Sequence, residues 1–413
     1  MVVSEIINIG DELLIGQVVN GNAAFLASSL NSIGIEVQKI TAIADKQEAI
    51  VSVLNEALKK NDLVLITGGL GPTNDDITKN VLCKYFGGNL VFSQDAFNDI
   101  EQMFAMRRFP VTEKNRQQAM LPDNCIQIPN MRGTARGMWF EHTGKVVVSL
   151  PGVPFEMTAM IEQHLLTMIQ QRFMPNYSII HRTLMCTGIG ESFLAEKIAD
   201  WENRLPDCLS LAYLPSPGIV RLRLTGKSND EKALQIIMEN EIAALKPLIS
   251  EYIFAEKDIP IEHYIIETLI TRSQTLSTAE SCTGGYIAHL LTSVNGSSQC
   301  FKGSIIAYDN EVKINLLEVP EKMLEKYGAV SEDVVKKMAE TVRLKLHTDY
   351  GVAVSGIAGP SGAVEGKPVG TVWIAVSNGK KTLADCFHFS NDRIRNIQRS
   401  AVAALNLLRQ TFF

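Results

Sequence analysis

Two short runs carry side chains whose types and spacing suit chemistry. Ala279-Glu280-Ser281-Cys282-Thr283-Gly284-Gly285 sets three potential nucleophiles directly before a pair of glycines. Between a strand and a helix, such a turn exposes a nucleophile at the sheet edge and brings backbone N–H groups to where an oxyanion or phosphate can sit. Residue type alone leaves Ser281, Cys282 and Thr283 all open as the nucleophile. The plainer alternative is an N-cap cluster, because Ser and Thr commonly precede helices. The second run is Thr67-Gly68-Gly69-Leu70-Gly71-Pro72-Thr73-Asn74-Asp75-Asp76. Its bare N–H groups at Gly68, Gly69 and Gly71, with Thr67 and Thr73, can approach a phosphate, and a following helix N-terminus adds a favourable dipole. Asp75 and Asp76 either cap that helix or hold a hard divalent cation such as Mg²⁺. Asp11-Glu12, just after the first strand, favours the cation, since both acidic pairs would leave the same edge of a parallel sheet.

The elements that position these runs read as alternating strands and helices. Residues 2–9, 35–43 and 62–67 predict strands, and residues 21–32 and 46–60 predict helices, with another helix near Ile77. That alternation implies a parallel sheet covered on both faces. Lys145–Leu150 predicts a further strand running into Pro151-Gly152-Val153-Pro154, and 171–180 reads as a linker. Next comes a small α+β module, in which Ile219–Thr225 alternates as a half-buried strand does. From about Ile261 the order is again α/β, with strands at 275–278, 303–308, 352–355 and 371–376 and a C-terminal helix. Tyr308 and Lys313 fall near the end of one strand. Ser355-Gly356-Ile357-Ala358-Gly359-Pro360 makes a second Gly loop after another.

Composition narrows the function classes. The chain has 413 residues, 46% apolar and 20% charged, with a net charge of −6. That length suits two to four domains. The acidic balance, without a long basic run, argues against a dedicated nucleic-acid binder. The seven cysteines are scattered without CxxC spacing, as free thiols in a reducing cytosol would be. No apolar stretch has the length of a membrane span and no signal-peptide pattern opens the chain, so a cytoplasmic location is expected. Gly226-Lys227-Ser228 and Gly362–Lys367 fail the P-loop spacing, Ile7–Gly16 lacks GxGxxG, and there is no HExxH pair.

Further residues make a resemblance specific. Ile9-Gly10-Asp11-Glu12-Leu13-Leu14, Gly68–Asp76, Lys114-Asn115-Arg116-Gln117-Gln118-Ala119 and Leu150–Met157 resemble the N-terminal domain of the CinA family. Ala279–Gly285, Phe301–Lys313, Ser355–Pro360 and Lys367–Gly370 resemble its C-terminal domain. Arg136 stands where the family usually has Pro. The resemblance implies a three-layer, molybdopterin-binding-like α/β domain over residues 1–172, a KH-like α+β module over 173–257, and an α/β deamidase domain over 258–413. It implies a bifunctional hydrolase of pyridine-nucleotide recycling, acting on small-molecule nucleotides and assembling as a homodimer. The C-terminal domain would deamidate nicotinamide mononucleotide without a cofactor, with Ser281 as nucleophile, Lys313 as base and Tyr308 in support. Cys282, Thr283, Gly284 and Gly285 are candidates to stabilise the oxyanion, and Ser355, Gly356 and Gly359 to hold the phosphate, with Arg393 or Arg399 either joining them or lying on a solvated face of the C-terminal helix. The N-terminal domain would hydrolyse ADP-ribose with a divalent metal on Asp11, Glu12, Asp75 and Asp76. The rival readings are a ligand-binding protein without catalysis, or a chain with one active domain.

Overall fold

The first three strands are β1 (Val3–Ile9), β2 (Glu36–Ile43) and β3 (Leu63–Thr67), and β1 pairs in parallel with both others. All five residues of β3 are buried, as befits a central strand covered on both faces. In this computed structural model, which describes residues 2–73, 75–174 and 178–413, the strand order is β2-β1-β3-β8-β7-β6. Here β6 is Ile126–Ile128, β7 Gly137–His142 and β8 Lys145–Leu150, while β4 (Leu90–Phe92) and β5 (Met120–Pro122) form a separate ribbon. The sheet is therefore mixed: β8 runs parallel to β3, but β7 and β6 run antiparallel. Leu63 and Leu65 face the helices Gly21–Ser32 and Pro154–Met160, while Val64 and Ile66 face Gln47–Lys60 and Thr78–Tyr85. That alternation produces the expected three layers.

The register places the loops that matter. Asn8 lies opposite Thr67, and Thr67 opposite Leu150, so the segments after β1, β3 and β8 leave one edge together. Gly68 has φ +114, and a Cβ there would overlap the Ile9 carbonyl oxygen. Only glycine meets both conditions at this crossing.

The middle module has β9 (Ser178–Thr187), β10 (Leu209–Ser216), β11 (Ile219–Ser228) and β12 (Ile253–Ala255), in the order β10-β11-β9-β12. The expected linker over 171–180 is shorter than its composition suggests. A helix runs through Phe173 and β9 begins at Ser178; residues 175–177 lie outside the described residues, as does Asn74 of the first Gly loop. In the C-terminal region β13 (Leu276–Glu280), β14 (Phe301–Ile306) and β15 (Tyr350–Gly356) pair in parallel. They are followed by antiparallel β16 (Thr371–Ser377) and β17 (Thr382–His388). The last strand escapes sequence reading because its residues alternate between half-buried and exposed without a sustained apolar face. Helix Glu332–Lys345 covers one face of this sheet, and helices Ile261–Thr271 and Arg393–Phe412 cover the other.

Contacts divide the chain into two compact units, Met1–Ile180 with Gly226–Gln235, and His181–Thr225 with Ile236–Phe413. Most of the middle module thus shares a unit with the C-terminal domain: Met185 and Phe254 are buried in the same core as Ile265 and Leu405. Among the described residues no helix is long and apolar enough to cross a membrane.

Candidate functional site

In the second unit, β13 delivers Glu280 and Ser281 to the sheet edge, and the turn through Gly285 leads into helix Tyr286–Thr292. Glu280 is fully buried and organises this turn. Its carboxylate accepts the N–H groups of Gly285 and Ile287, both at 3.0 Å, and of Ala288 at 2.8 Å. A helix start leaves such donors without intrahelical partners, and an ionised acceptor suits them. The sequence reading gave Glu280 no role, although its place ahead of a helix was a capping signal.

This arrangement narrows the candidate oxyanion donors. Gly285 N–H is taken by Glu280, and Gly284 N–H donates to the Ser281 carbonyl at 3.0 Å. The N–H groups of Cys282 and Thr283 are tied to no carbonyl among the described residues, and the buried Thr283 Oγ1 also lacks a partner. Those three groups remain available to a ligand. The Ser281 N–H donates to Val354 O at 2.9 Å, which pins the backbone, while its hydroxyl makes no hydrogen bond among the described residues.

Lys313 is 1% exposed. Burial pulls its ammonium below the ordinary lysine range, against the opposing charges of Asp309 and Cys282. Its Nζ donates to Ala307 O at 2.8 Å and Tyr308 O at 3.3 Å. Burial pushes the Cys282 thiol up to about 12, reinforced by Glu280 and offset by Lys313 and Arg393. The charges of Lys313 and Arg393 thus both act on Cys282, the neighbour of Ser281, although no hydrogen bond joins Ser281 to Lys313. Tyr308 is 59% exposed, and its hydroxyl accepts from Arg393 Nη2 at 2.7 Å.

The second Gly loop is pinned by Arg393 Nη1, which donates to Gly359 O at 2.8 Å, and by Asn396 Nδ2, which donates to Ala358 O at 2.9 Å. Gly356 admits no side chain because β16 backbone lies against it. Ser355 is spent on structure, since its buried hydroxyl donates to Ala329 O at 2.7 Å. Of the two arginines weighed for phosphate, Arg393 contacts Tyr308 and the Gly359 carbonyl, while Arg399 lines a different cavity.

In the first unit, Asp11, Glu12 and Asp75 crowd around Asp45, a residue the sequence reading missed. Asp45 follows β2 on the same edge, and its Oδ2 accepts the Asp11 N–H at 3.2 Å. Burial raises the Asp45 carboxyl; the Asp11 N–H bond opposes that, and the charges of Asp11, Glu12 and Asp75 add to it. Asp75 is exposed and is held below the usual range chiefly by the nearby Thr73 hydroxyl, although the one proton of that hydroxyl goes to Asp76. Asp76 instead closes its own loop, accepting the Thr73 N–H at 2.9 Å and the Thr73 hydroxyl. Among the described residues no three acidic, His or Cys side chains stand at ligating distances. The groups are all carboxylates, the donor type a hard cation takes, but they do not stand as a ligand set among the described residues.

Beside this edge a cavity of about 470 Å³ is lined by Asp76, Lys79, Lys114, Gln117 and Gln118, among others. Gln118 is buried and neither its amide oxygen nor its nitrogen has a partner. Burial lowers Lys79, whose Nζ donates to Gln117 O at 3.0 Å. Thr67 is buried and donates to Pro151 O at 2.8 Å, which ties the Gly loop to the loop after β8. Gly69 has φ +67 and packs against Thr78, and Gly71 packs against the Asp76 carboxylate. Arg136 pairs with Asp99 and donates to Gln127 Oε1 at 3.1 Å, so its long side chain is absorbed without opening the loop.

Three protein-family models match the chain. The probable molybdopterin binding domain covers residues 5–171, the damage-inducible protein CinA KH domain 181–255, and the CinA C-terminal domain 258–412. A CinA-like protein of Cytophaga hutchinsonii is 44% identical over 407 residues, covering 98% of this chain and 97% of its own length. Another, of Chloroherpeton thalassium, is 42% identical over 415 residues, with 98% of each covered. Among solved structures, CinA of Thermoplasma acidophilum is 34% identical, with 41% of this chain and 98% of its own covered, at a TM-score of 0.37.

Proposed function

This chain belongs to the CinA family, and from that premise we propose that it is a two-activity nucleotide hydrolase. The C-terminal domain deamidates nicotinamide mononucleotide to nicotinate mononucleotide and ammonia. The N-terminal domain hydrolyses ADP-ribose to AMP and ribose 5-phosphate. The observation that supports the first activity is a buried lysine, held below its ordinary range and electrostatically coupled to Cys282, next in sequence to a serine whose hydroxyl makes no hydrogen bond among the described residues.

Neutral Lys313 Nζ takes the Ser281 hydroxyl proton as Oγ bonds to the carboxamide carbon. The carbonyl oxygen becomes an oxyanion, held by the N–H groups of Cys282 and Thr283 and by the Thr283 hydroxyl. As the C–N bond breaks, the nitrogen receives that proton from Lys313 and leaves as ammonia, and an ester to Ser281 remains. Water then adds to the ester carbon with Lys313 again as base, and breaking the bond to Oγ frees the carboxylate. Arg393 steadies Tyr308 and the Gly359 loop, and is the nearest guanidinium for the 5′-phosphate.

In the N-terminal domain, Asp11, Glu12, Asp45 and Asp75 would hold a divalent cation, which supplies charge neutralisation at the pyrophosphate and a water of lowered pKa. Lys79 and Lys114 bind anionic substrate oxygens, and the unpaired Gln118 amide hydrogen-bonds the substrate. The test is ammonia release from nicotinamide mononucleotide and AMP release from ADP-ribose by the purified full chain, each with and without a chelator. Ammonia release persisting with chelator while AMP release disappears supports both halves. No ammonia from the full chain would leave a ligand-binding protein as the better reading.

A further inference from the structure

One cavity belongs to neither site. It lies within the second unit, between the middle module and helix Arg393–Phe412, and measures about 530 Å³, within the range of small-molecule pockets. On one side stand the half-buried rings of Phe387 and Phe389, stacked at 5.9 Å with 15° between their planes. On the other side the Gly188-Ile189-Gly190 loop opens helix Glu191–Glu202, whose N-terminus has no side-chain cap. Arg399 projects into the space between, and its guanidinium has no hydrogen bond or ion pair among the described residues. Asn406 also lines it. This side chain is 6% exposed; its oxygen accepts from Arg409 at 3.0 Å, but its Nδ2 donates to nothing among the described residues.

The walls are built for this opening. Gly188 and Gly218 both have positive φ, and a side chain on Gly218 would press into Val402 of the helix. Bare glycines let the helix approach, and Thr187 fixes the hairpin by donating to Gly218 O at 2.8 Å. The result is a flat aromatic surface facing unsatisfied donors: a guanidinium, a buried amide and the free N–H groups of a helix start. Such donors take phosphate oxygens, and the rings take a base by stacking. A single carboxylate lines the same space, that of Glu191; it can accept ribose hydroxyl hydrogens, and its charge opposes a phosphate placed close to it.

We propose that this cavity is a third ligand site, which binds a nucleoside phosphate with its base on Phe387 and Phe389 and its phosphate on Arg399, Asn406 and the Gly188–Gly190 loop. The site uses no residue of either catalytic centre.

Calorimetric titration of the full chain with AMP, without divalent metal, tests this. The parent protein should bind one AMP per chain more than Arg399→Ala and than Phe389→Leu, while Arg399→Lys binds that extra equivalent more weakly. Adenosine alone and inorganic phosphate alone should each bind there at least roughly tenfold more weakly than AMP. Arg399→Ala should release ammonia from nicotinamide mononucleotide within about twofold of the parent in the absence of AMP, which also verifies its folding. Equal AMP stoichiometry in the parent and both variants would overturn the site. Phosphate binding as tightly as AMP would overturn the nucleoside assignment. Dissociation of an oligomer by Arg399→Ala, with AMP binding intact, would make the cavity a self-association surface instead. Because the readout is binding, it stands or fails independently of the deamidase reading.

Discussion

At Ser281 and Cys282 the chain offers two nucleophiles one peptide apart, both buried, and burial disfavours the thiolate on which the cysteine would depend. A thiol near 12 is thiolate in only roughly one molecule in ten thousand at pH 8, so its higher intrinsic reactivity goes unused. Cys282→Ala should keep most ammonia release, and iodoacetamide at pH 8 should label Cys282 slowly. Ser281→Ala and Lys313→Ala should each reduce kcat by about a thousandfold or more, without adding in the double variant. The depressed folded value of Lys313 also sets two pH signs. Activity should fall as pH falls through that value and Nζ gains its proton. Between that value and the ordinary lysine value near 10.5, the unfolded chain binds the extra proton, so stability rises with pH there. Urea unfolding of the parent against Lys313→Met should therefore shift in favour of lysine as pH rises; an unchanged difference would mean the ammonium is not desolvated. Asp45 is the mirror case. Its carboxyl is raised, so its proton favours the fold at low pH and that advantage is lost as pH rises through the folded value. Asp45→Asn should leave stability at pH 7 equal or higher while weakening the Mg²⁺ dependence of ADP-ribose hydrolysis by about 10–100-fold.

The element that organises the C-terminal site is a strand–turn–helix corner whose helix start is satisfied from below. Glu280 holds the donors of Gly285, Ile287 and Ala288. Taking those N–H groups out of play leaves Cys282 and Thr283 to face the site. Glu280→Gln should cost about 2–3 kcal/mol in chemical denaturation, the loss of a charge on a buried acceptor. It should also lower deamidation, because the turn no longer sits at one angle. Unchanged stability would mean that the turn holds itself. The Gly loop of the first unit depends on steric room instead. Gly68→Ala would place a Cβ against the backbone carbonyl of Ile9, so it should impair ADP-ribose hydrolysis while ammonia release continues.

On the scale of the whole chain, the middle module is part of the second unit's core and not a detached spacer. Arg409 of the last helix donates to Ile253 O and Glu251 O, both at 3.1 Å, and Phe254 lies in the core with Ile261 and Leu405. A fragment spanning 181–413 should therefore unfold at a higher temperature than one spanning 258–413, which would expose Phe254's partners to water. Both should release ammonia, since every residue assigned to that reaction lies beyond 258. Equal melting temperatures would show that the module contributes nothing to the core. Loss of ammonia release in both fragments, with an active full chain, would place part of the site outside the second unit.

Residue order already carried the β–α alternation, the two Gly loops at strand ends and the cluster of nucleophiles, because these are local: they follow from apolar runs, glycines and spacing. Ser281, Lys313, Tyr308 and Asp11 could be singled out as candidates for the same reason. Other features needed the fold. A sequence does not state which strands turn antiparallel, so β7 and the half-exposed β17 were missed, and the sheets read as more parallel than they are. It gives no depth, and depth distinguishes Lys313, 1% exposed, from the many solvated lysines. Asp45 joins the acidic cluster only because β2 lies next to β1, with Ile9 opposite Ile43. Arg393 and Arg399 are six residues apart on one helix and look alike in sequence; the helical turn sends one to Tyr308 and the other to a separate cavity.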